Sequence, residues 1–128
     1  MKPSQFRFIN PYLDEISFLT NPSFVKGEKP VTMENSFEVQ VDRDESENRA
    51  HVRLTLSINT EAETAPFAIV IKMSSDFEWD DMEESTIDTM LHINAPALLL
   101  GYMRPIVATV TNSSKFPVYN LPYINFNE

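Results

Sequence analysis

Residues 96–126 read PALLLGYMRPIVATVTNSSKFPVYNLPYINF, and this stretch decides the fold. Its first half has apolar side chains at helical spacing, and the spacing predicts one continuous stripe along a helix. The members of that stripe are Leu99, Met103, Ile106 and Val110. The helix should end near residues 112–114, where a polar segment is followed by a Phe-Pro step. The second half then predicts an extended, proline-interrupted aromatic tail.

The beginning of this helix is marked by its own sequence signals. Asn94 is a suitable N-terminal cap, and Pro96 fits the first helical turn, where no backbone N–H is needed. Pro105 lies inside the helix and is expected to kink it. Upstream, the acidic run over residues 76–84 is interpreted as a solvated helix start, because carboxylates favour the positive N-terminal end of a helix.

The region before the acidic run predicts strands. Residues 36–42 and 51–59 alternate between apolar and polar side chains, and their short connection predicts an antiparallel hairpin. Residues 67–74 are apolar on both faces, which indicates a strand that is central in the sheet or covered on both faces. Residues 12–19 predict a first strand that begins after a break at Asn10-Pro11. Without an internal repeat or a linker, residues 1–128 are predicted to form a single domain.

Composition excludes several classes of function. The 128 residues carry a net charge of -9, which would repel a phosphate backbone and suits basic or unfolded polypeptide partners. No cysteine is present, so disulfides and thiolate metal sites are excluded. The N-terminus lacks the features of a signal peptide. The longest apolar run, residues 95–101, is too short for a membrane span, and a cytoplasmic location is expected.

The inventory of reactive side chains argues against an enzyme. His51 lies on the polar side of a strand, and Asp88 and His92 form an ordinary pair one helical turn apart rather than a complete metal site. The start of the acidic run resembles a calcium loop but has Asp81 in place of the required glycine. The sequence therefore predicts no catalytic residue, no metal and no cofactor.

Apolar side chains are more numerous than one small core requires. The chain has nine Phe, four Tyr, one Trp and six Met, beside an acidic surface. Single members of this set are best interpreted as core residues, but the excess predicts an oligomer interface or a peptide groove. One apolar cluster lies on the fourth predicted strand or just beyond it: Phe67, Ile69, Ile71, Met73, Phe77 and Trp79.

The order of these features resembles the SecB family of protein-export chaperones over most of the chain. Residues 15–18 read Glu-Ile-Ser-Phe, similar to the family's Asp-Ile-Ser-Phe first strand, and residues 96–117 align without a gap. Residues 120–126 are similar to the family's Leu-Asn-Leu-Ala-Pro-Val-Asn-Phe closing segment. The marker positions are held by Pro96, Leu99, Tyr102, Arg104, Phe116 and Pro117.

The resemblance implies an α+β fold in which a four-stranded antiparallel sheet carries a long helix on one face. It also implies an ATP-independent holdase that binds unfolded polypeptides, serves protein export, and forms a homodimer or homotetramer. The resemblance assigns seven residues to client binding or to subunit packing and does not distinguish between these two roles. These residues are Ile69, Ile71, Met73, Phe77, Trp79, Leu99 and Tyr102.

Some residues differ from the family pattern at positions that affect which partners are expected for this chain. Glu15 keeps one of the acidic positions that the family uses to meet the SecA motor, whereas Leu19 and Val70 stand where the family has glutamates. The family's second helix and acidic tail should follow Phe126, so a shortened form is expected and handover to SecA is disfavoured. Two alternatives stay open: a dedicated chaperone of an antitoxin, and a non-enzymatic oligomerisation or adaptor module.

Overall fold

The computed structural model describes residues 5–127. The sheet contains four strands, arranged in the order β1-β4-β3-β2, and every neighbouring pair is antiparallel. The strands are β1 (Phe6–Thr20), β2 (Asn35–Asp44), β3 (Arg49–Ile58) and β4 (Phe67–Trp79). A long helix follows and packs across β3 and β4. The predicted fold class, the β2–β3 hairpin and the central position of the fourth strand are confirmed.

The core lies between one face of the sheet and the helix. Alternate residues of β3 and β4 point to that face and are buried, while the residues between them form the outer face of the sheet. The core side chains from β3 are Val52, Leu54, Leu56 and Ile58. The helix supplies Leu99, Met103 and Val107 from one stripe. Val107 replaces the predicted Ile106 and Val110, which are only partly buried beside the core.

Strand β1 is longer than its sequence predicts. Asn10-Pro11 is not a break, because the strand continues through it with register shifts between Ile9 and Tyr12 and between Leu13 and Glu15. Asn10 adopts a φ of 38°, a left-handed conformation that asparagine tolerates better than most residues. Because β1 is an edge strand, the N–H that Pro11 lacks is not needed on the open side.

The interpretation of the acidic run as a helix start is wrong for its first half. Residues 76–79 belong to β4, in which Phe77 and Trp79 are buried and Asp76 and Glu78 face outward. This alternation has the period of a strand, and both neighbouring strands pair with it there. Arg49 of β3 reaches Asp76 at 3.4 Å, so one of the acidic side chains is balanced across the sheet.

The helix begins earlier than the predicted cap. It comprises α1 (Glu84–Thr89), a π-helical turn (Met90–Asn94) and α2 (Ala95–Asn112), which follow one another without a break. Asn94 has helical backbone angles and makes no capping hydrogen bond, so its prediction as a cap is wrong. The wide turn lies immediately before Pro96, where the proline ring would crowd the carbonyl four residues earlier in a regular helix.

Arg43 fixes the start of α1 against the sheet. Its guanidinium donates two hydrogen bonds of 2.8 Å to the Glu84 carboxylate and lies 5.4 Å from the centre of the Trp79 ring. The hydrogen bond from Arg43 lowers the pKa of the Glu84 carboxyl, and the same bond raises the pKa of Arg43. The planar, bidentate geometry favours Arg over Lys at this position.

The whole helix, Glu84–Asn112, has 29 residues and is long and apolar enough to cross a membrane by length and composition alone. A core helix meets the same criteria, and here the buried stripe packs on the sheet. The helix continues through Pro105, which is exposed on the side away from the core. The kink expected at Pro105 stays a prediction.

Candidate functional site

A partly open apolar cavity of about 220 Å³ lies at the end of the sheet where β1 finishes and β4 begins. Its walls come from three separate parts of the chain: the β1–β2 loop, the start of β4 and the tail after α2. The loop contributes Phe24, Lys26, Val31 and Met33, and β4 contributes Phe67 next to Pro66. The tail contributes Phe116, Pro117, Val118 and Tyr119.

Two asparagines hold the β1–β2 loop in place. The Asn21 side chain donates to the carbonyls of Glu63 and Ala65, at 3.2 and 3.0 Å, at the first end of the loop. The buried Asn59 side chain accepts a 2.9 Å hydrogen bond from the Glu34 N–H and donates at 3.1 Å to the Phe67 carbonyl. Asn59 has a φ of 59°, a left-handed conformation that asparagine tolerates. Both ends of the loop are therefore tied to the turn before β4.

The tail is fastened to the helix and to β2. The buried Thr111 hydroxyl accepts a 2.9 Å hydrogen bond from the Tyr119 N–H, and the Tyr119 hydroxyl accepts one of 2.7 Å from the Asn35 side chain. Further along, Arg104 donates to the carbonyls of Leu121 and Pro122 at 2.7 and 3.0 Å. These bonds satisfy backbone groups that have no partner in regular secondary structure.

Aromatic rings line the inner part of the cavity. Phe116 is in contact with Phe24 in an edge-to-face arrangement, with 5.6 Å between ring centres, and with Phe67 at 6.1 Å. Phe18 of β1 contacts Phe67 in a tilted arrangement, with 5.6 Å between the ring centres. Val31 and Val118 lie at the mouth, 41% and 45% exposed. The cavity thus has a base of packed aromatic rings and an exposed rim, and apolar side chains fit such a site.

The residues assigned to client binding or subunit packing from the sequence lie elsewhere. Six of them are buried between the sheet and the helix: Ile69, Ile71, Met73, Phe77, Trp79 and Leu99. Tyr102 is 42% exposed on the outer side of α2. None of the seven lines the cavity at the end of the sheet. Client binding by the six buried residues stays a prediction and would require the helix to move.

Sequence reasoning misses most of the cavity residues. Phe24 belongs to residues 20–30, whose glycine and two prolines predict only a loop, and Val31 and Met33 follow that segment without a pattern of their own. Phe116 stands out only as a family marker. One signal is present, because the loop contains four large apolar side chains, including the 85% exposed Val25, beside Gly27 and two prolines. A loop that only connects two strands has no need for them.

The outer face of the sheet carries a network of charged and polar side chains that link its strands. Asp14 accepts hydrogen bonds from Arg53, at 3.2 Å, and from the Ser74 hydroxyl. His51 Nδ1 lies 3.0 Å from Asp76 Oδ1, so the histidine that the sequence places on a polar strand face contacts a carboxylate that also pairs with Arg49. Lys72 reaches Glu15 at 3.8 Å. This polar network differs in chemistry from the apolar cavity at the end of the sheet.

Comparison of the sequence with known families supports the resemblance that the sequence suggests. Residues 1–128 match the family described as "Preprotein translocase subunit SecB". A protein-export protein SecB from Cellvibrio japonicus is 28% identical over 127 residues, which cover 96% of this chain and 75% of the relative. A SecB from Anaplasma phagocytophilum is 34% identical over 80 residues, 59% of this chain and 51% of the relative.

Comparison of the fold with solved structures agrees. A SecB-like chaperone from Mycobacterium tuberculosis, solved in complex with a ChAD peptide from the HigA1 antitoxin, superposes with a TM-score of 0.74. The match covers 94% of this chain and 91% of that one at 19% identity, so it supports the fold. Together with the match over the full sequence, these observations show that the chain belongs to the SecB family of chaperones.

Proposed function

We propose that this chaperone is an ATP-independent holdase that binds extended segments of unfolded polypeptides in the cavity formed by the β1–β2 loop, the start of β4 and the tail. The observation that carries the proposal is the aromatic lining of a cavity that is open to solvent. At about 220 Å³ the cavity has room for one or two client side chains. Each contact is therefore weak, and a client must engage the cavities of several subunits to be held tightly.

Aggregation of a chemically unfolded client tests this function. The purified protein, added in several-fold molar excess without ATP, should suppress light scattering as the client is diluted from denaturant. Bovine serum albumin at the same mass concentration controls for nonspecific crowding. Unchanged scattering across the whole range of chaperone concentrations would contradict the holdase proposal and favour an adaptor module that has the fold without client binding.

Several observations support an oligomer. The exposed side of α2 carries no charged residue, and the one charged side chain of α2, Arg104, is bonded to the tail. The exposed or half-buried positions include Ala97, Leu98, Gly101, Tyr102, Pro105, Ile106, Thr109 and Val110. Edge strand β1 adds the exposed Phe8, Leu13 and Ile16 on the side of the sheet that faces the helix. An apolar surface of this extent is typical of a subunit interface.

A charge placed on this face of α2 should separate the subunits. Tyr102→Glu and Ile106→Glu are each expected to shift the protein to a smaller assembly, because a carboxylate buried at an apolar interface is strongly unfavourable. Thr86→Glu, exposed on α1, is the control and should leave the mass unchanged. Light scattering coupled to size-exclusion chromatography gives the masses. A wild-type monomer, or variants with the wild-type oligomeric mass, would contradict the interface.

Two candidate roles differ in what the chaperone serves after it has bound a client. Export is one, and a dedicated antitoxin chaperone is the second, favoured by the antitoxin peptide bound to the M. tuberculosis protein of similar fold. On the outer face of the sheet Glu15 is paired with Lys72, Leu19 is 67% exposed and Val70 is half-buried. A surface with so few free carboxylates at these positions supports client binding without handover to SecA.

A further inference from the structure

The first part of the long helix is held to the sheet by fewer side chains than the rest. Of residues 84–94, which we call the N-terminal helical segment, α1 buries only Ile87 and the π-helical turn buries only Leu91. The 18 residues of α2 bury seven side chains and pack on both β3 and β4. The junction between the two parts is weak as well, because Pro96 lacks the N–H that would continue the ladder of helical hydrogen bonds.

A cavity of about 160 Å³ separates the N-terminal helical segment from the first residues of β1. Phe77 forms a wall of this cavity on the sheet, while Met90 and Asn94 form a wall on the helix. Side chains that border such a gap lose contacts that a filled core would supply. The segment is therefore incompletely packed over the end of β4.

On the side of β2, the segment is closed by the ion pair between Arg43 and Glu84. Two N–H donors at this place are buried without an acceptor among residues 5–127, Arg43 Nε and Trp79 Nε1. Trp79 is 3% exposed, and the Arg43 guanidinium lies over its ring. A buried donor without a partner destabilises the conformation that buries it. The closed position of the segment thus depends on one ion pair at its surface.

We propose that the N-terminal helical segment is a gate over a second client-binding site, which has Phe77 and Trp79 as its floor and the Arg43–Glu84 ion pair as its latch. The proposal rests on the proposed client-binding function and adds a second site to each subunit. The occupant is an extended polypeptide segment, because the floor combines apolar rings with unpaired N–H donors. A large apolar side chain next to a main-chain carbonyl satisfies both features.

Only the N-terminal helical segment moves, and it bends at Pro96 beside the wide turn. α2 stays on β3 and β4 and keeps Ile69 and Ile71 covered, so most of the core is preserved. The second site lies at the end of β4, whereas the cavity of the proposed function lies at its start. A client long enough to reach both sites of one subunit is held more tightly than by either site alone.

Hydrogen exchange measured by mass spectrometry tests the gate in the free protein. Glu84→Gln breaks the ion pair at an exposed side chain and should raise amide exchange in residues 84–94 about two- to fivefold, the range for exposed pairs. Residues 99–111 should exchange as in the wild type. Glu83→Gln removes the same charge from the same turn, where Glu83 forms no ion pair with the described residues, and should change neither segment. Wild-type exchange in Glu84→Gln, or faster exchange along the whole helix, would overturn the gate.

Photocrosslinking tests the second site. The probe is a tryptophan-free peptide with an extended aromatic and aliphatic core and one benzoylphenylalanine, used below saturation. It should crosslink to residues 77–91 as well as to the cavity at the end of the sheet. Glu84→Gln should raise the yield at residues 77–91 about two- to fivefold relative to the cavity, because the open state is more populated. The emission of Trp79, the single tryptophan of the chain, should shift when the peptide binds.

The crosslinks also separate this inference from the function on which it rests. Crosslinks confined to the cavity at the end of the sheet, with an unchanged emission of Trp79, would overturn the second site and leave client binding intact. A peptide that neither binds nor crosslinks anywhere on the protein would overturn the proposed function itself.

Discussion

Val31→Asn and Val118→Asn are each expected to weaken binding of an unfolded client peptide by about fivefold or more. Both side chains line the mouth of the cavity, one from the β1–β2 loop and one from the tail. A bound apolar side chain would cover the introduced amide and leave it without a hydrogen-bond partner, which costs about 1–3 kcal/mol. A cost of about 1.4 kcal/mol is a factor of ten in affinity.

The two asparagine variants should remain folded. Val31 and Val118 are 41% and 45% exposed, and surface substitutions usually change the free energy of unfolding by less than about 0.5 kcal/mol. Asparagine is neutral, so the charge of the cavity lining does not change. Val25→Asn lies in the same loop but outside the cavity lining, and it should bind like the wild type. Equal affinities for all three variants in fluorescence anisotropy would show that clients bind elsewhere.

Ile71→Ala is expected to lower the free energy of unfolding by about 2–5 kcal/mol, the usual cost of removing a fully buried Ile side chain. Ile71 is 0% exposed at the centre of β4, beneath the helix. Domains of this size are stable by about 5–15 kcal/mol, so the variant should be close to the limit of folding. Chemical denaturation followed by circular dichroism measures the difference.

The adjacent residue provides a matched control. Val70 points to the outer face of the sheet and is only partly buried, so Val70→Ala should cost less than Ile71→Ala. The comparison also tests the assignment of the β4 residues to client binding. If Ile71→Ala kept its stability and instead lost client binding, these residues would face clients after the helix moves, and their place in a fixed core would be contradicted.

The strands are predictable where one face is buried and the other is exposed. The alternation in residues 36–42 and 51–59 defines the hairpin, because a period of two with one apolar face is typical of a half-buried strand and of no helix. Boundaries are less predictable. A proline at position 11 and acidic residues at 76 and 78 are unfavourable within an ordinary strand. Here the proline lies on the open edge strand, and the acidic side chains lie on the outer face of the sheet.

The cavity is much less predictable than the fold. Phe24 and Phe116 are far apart in the chain, and no periodicity in the sequence indicates that their rings contact each other. The anchors that bring them together are single side chains, Asn21 and Asn59 for the loop and Thr111 for the tail. A lone asparagine or threonine in a sequence gives no sign of the distant carbonyl or N–H to which it will bond.

By itself the sequence determined the order and type of the main strands and the long helix, the family and the surplus of apolar side chains, since these depend on periodicity, order and composition. Only the tertiary structure decided which apolar side chains are placed in the core and which remain exposed. The helix covers the inner face of β3 and β4 and buries Ile69 and Ile71, while the end of the sheet keeps a partly open aromatic cavity. Burial and pairing depend on distant neighbours, and only the folded chain brings those neighbours together.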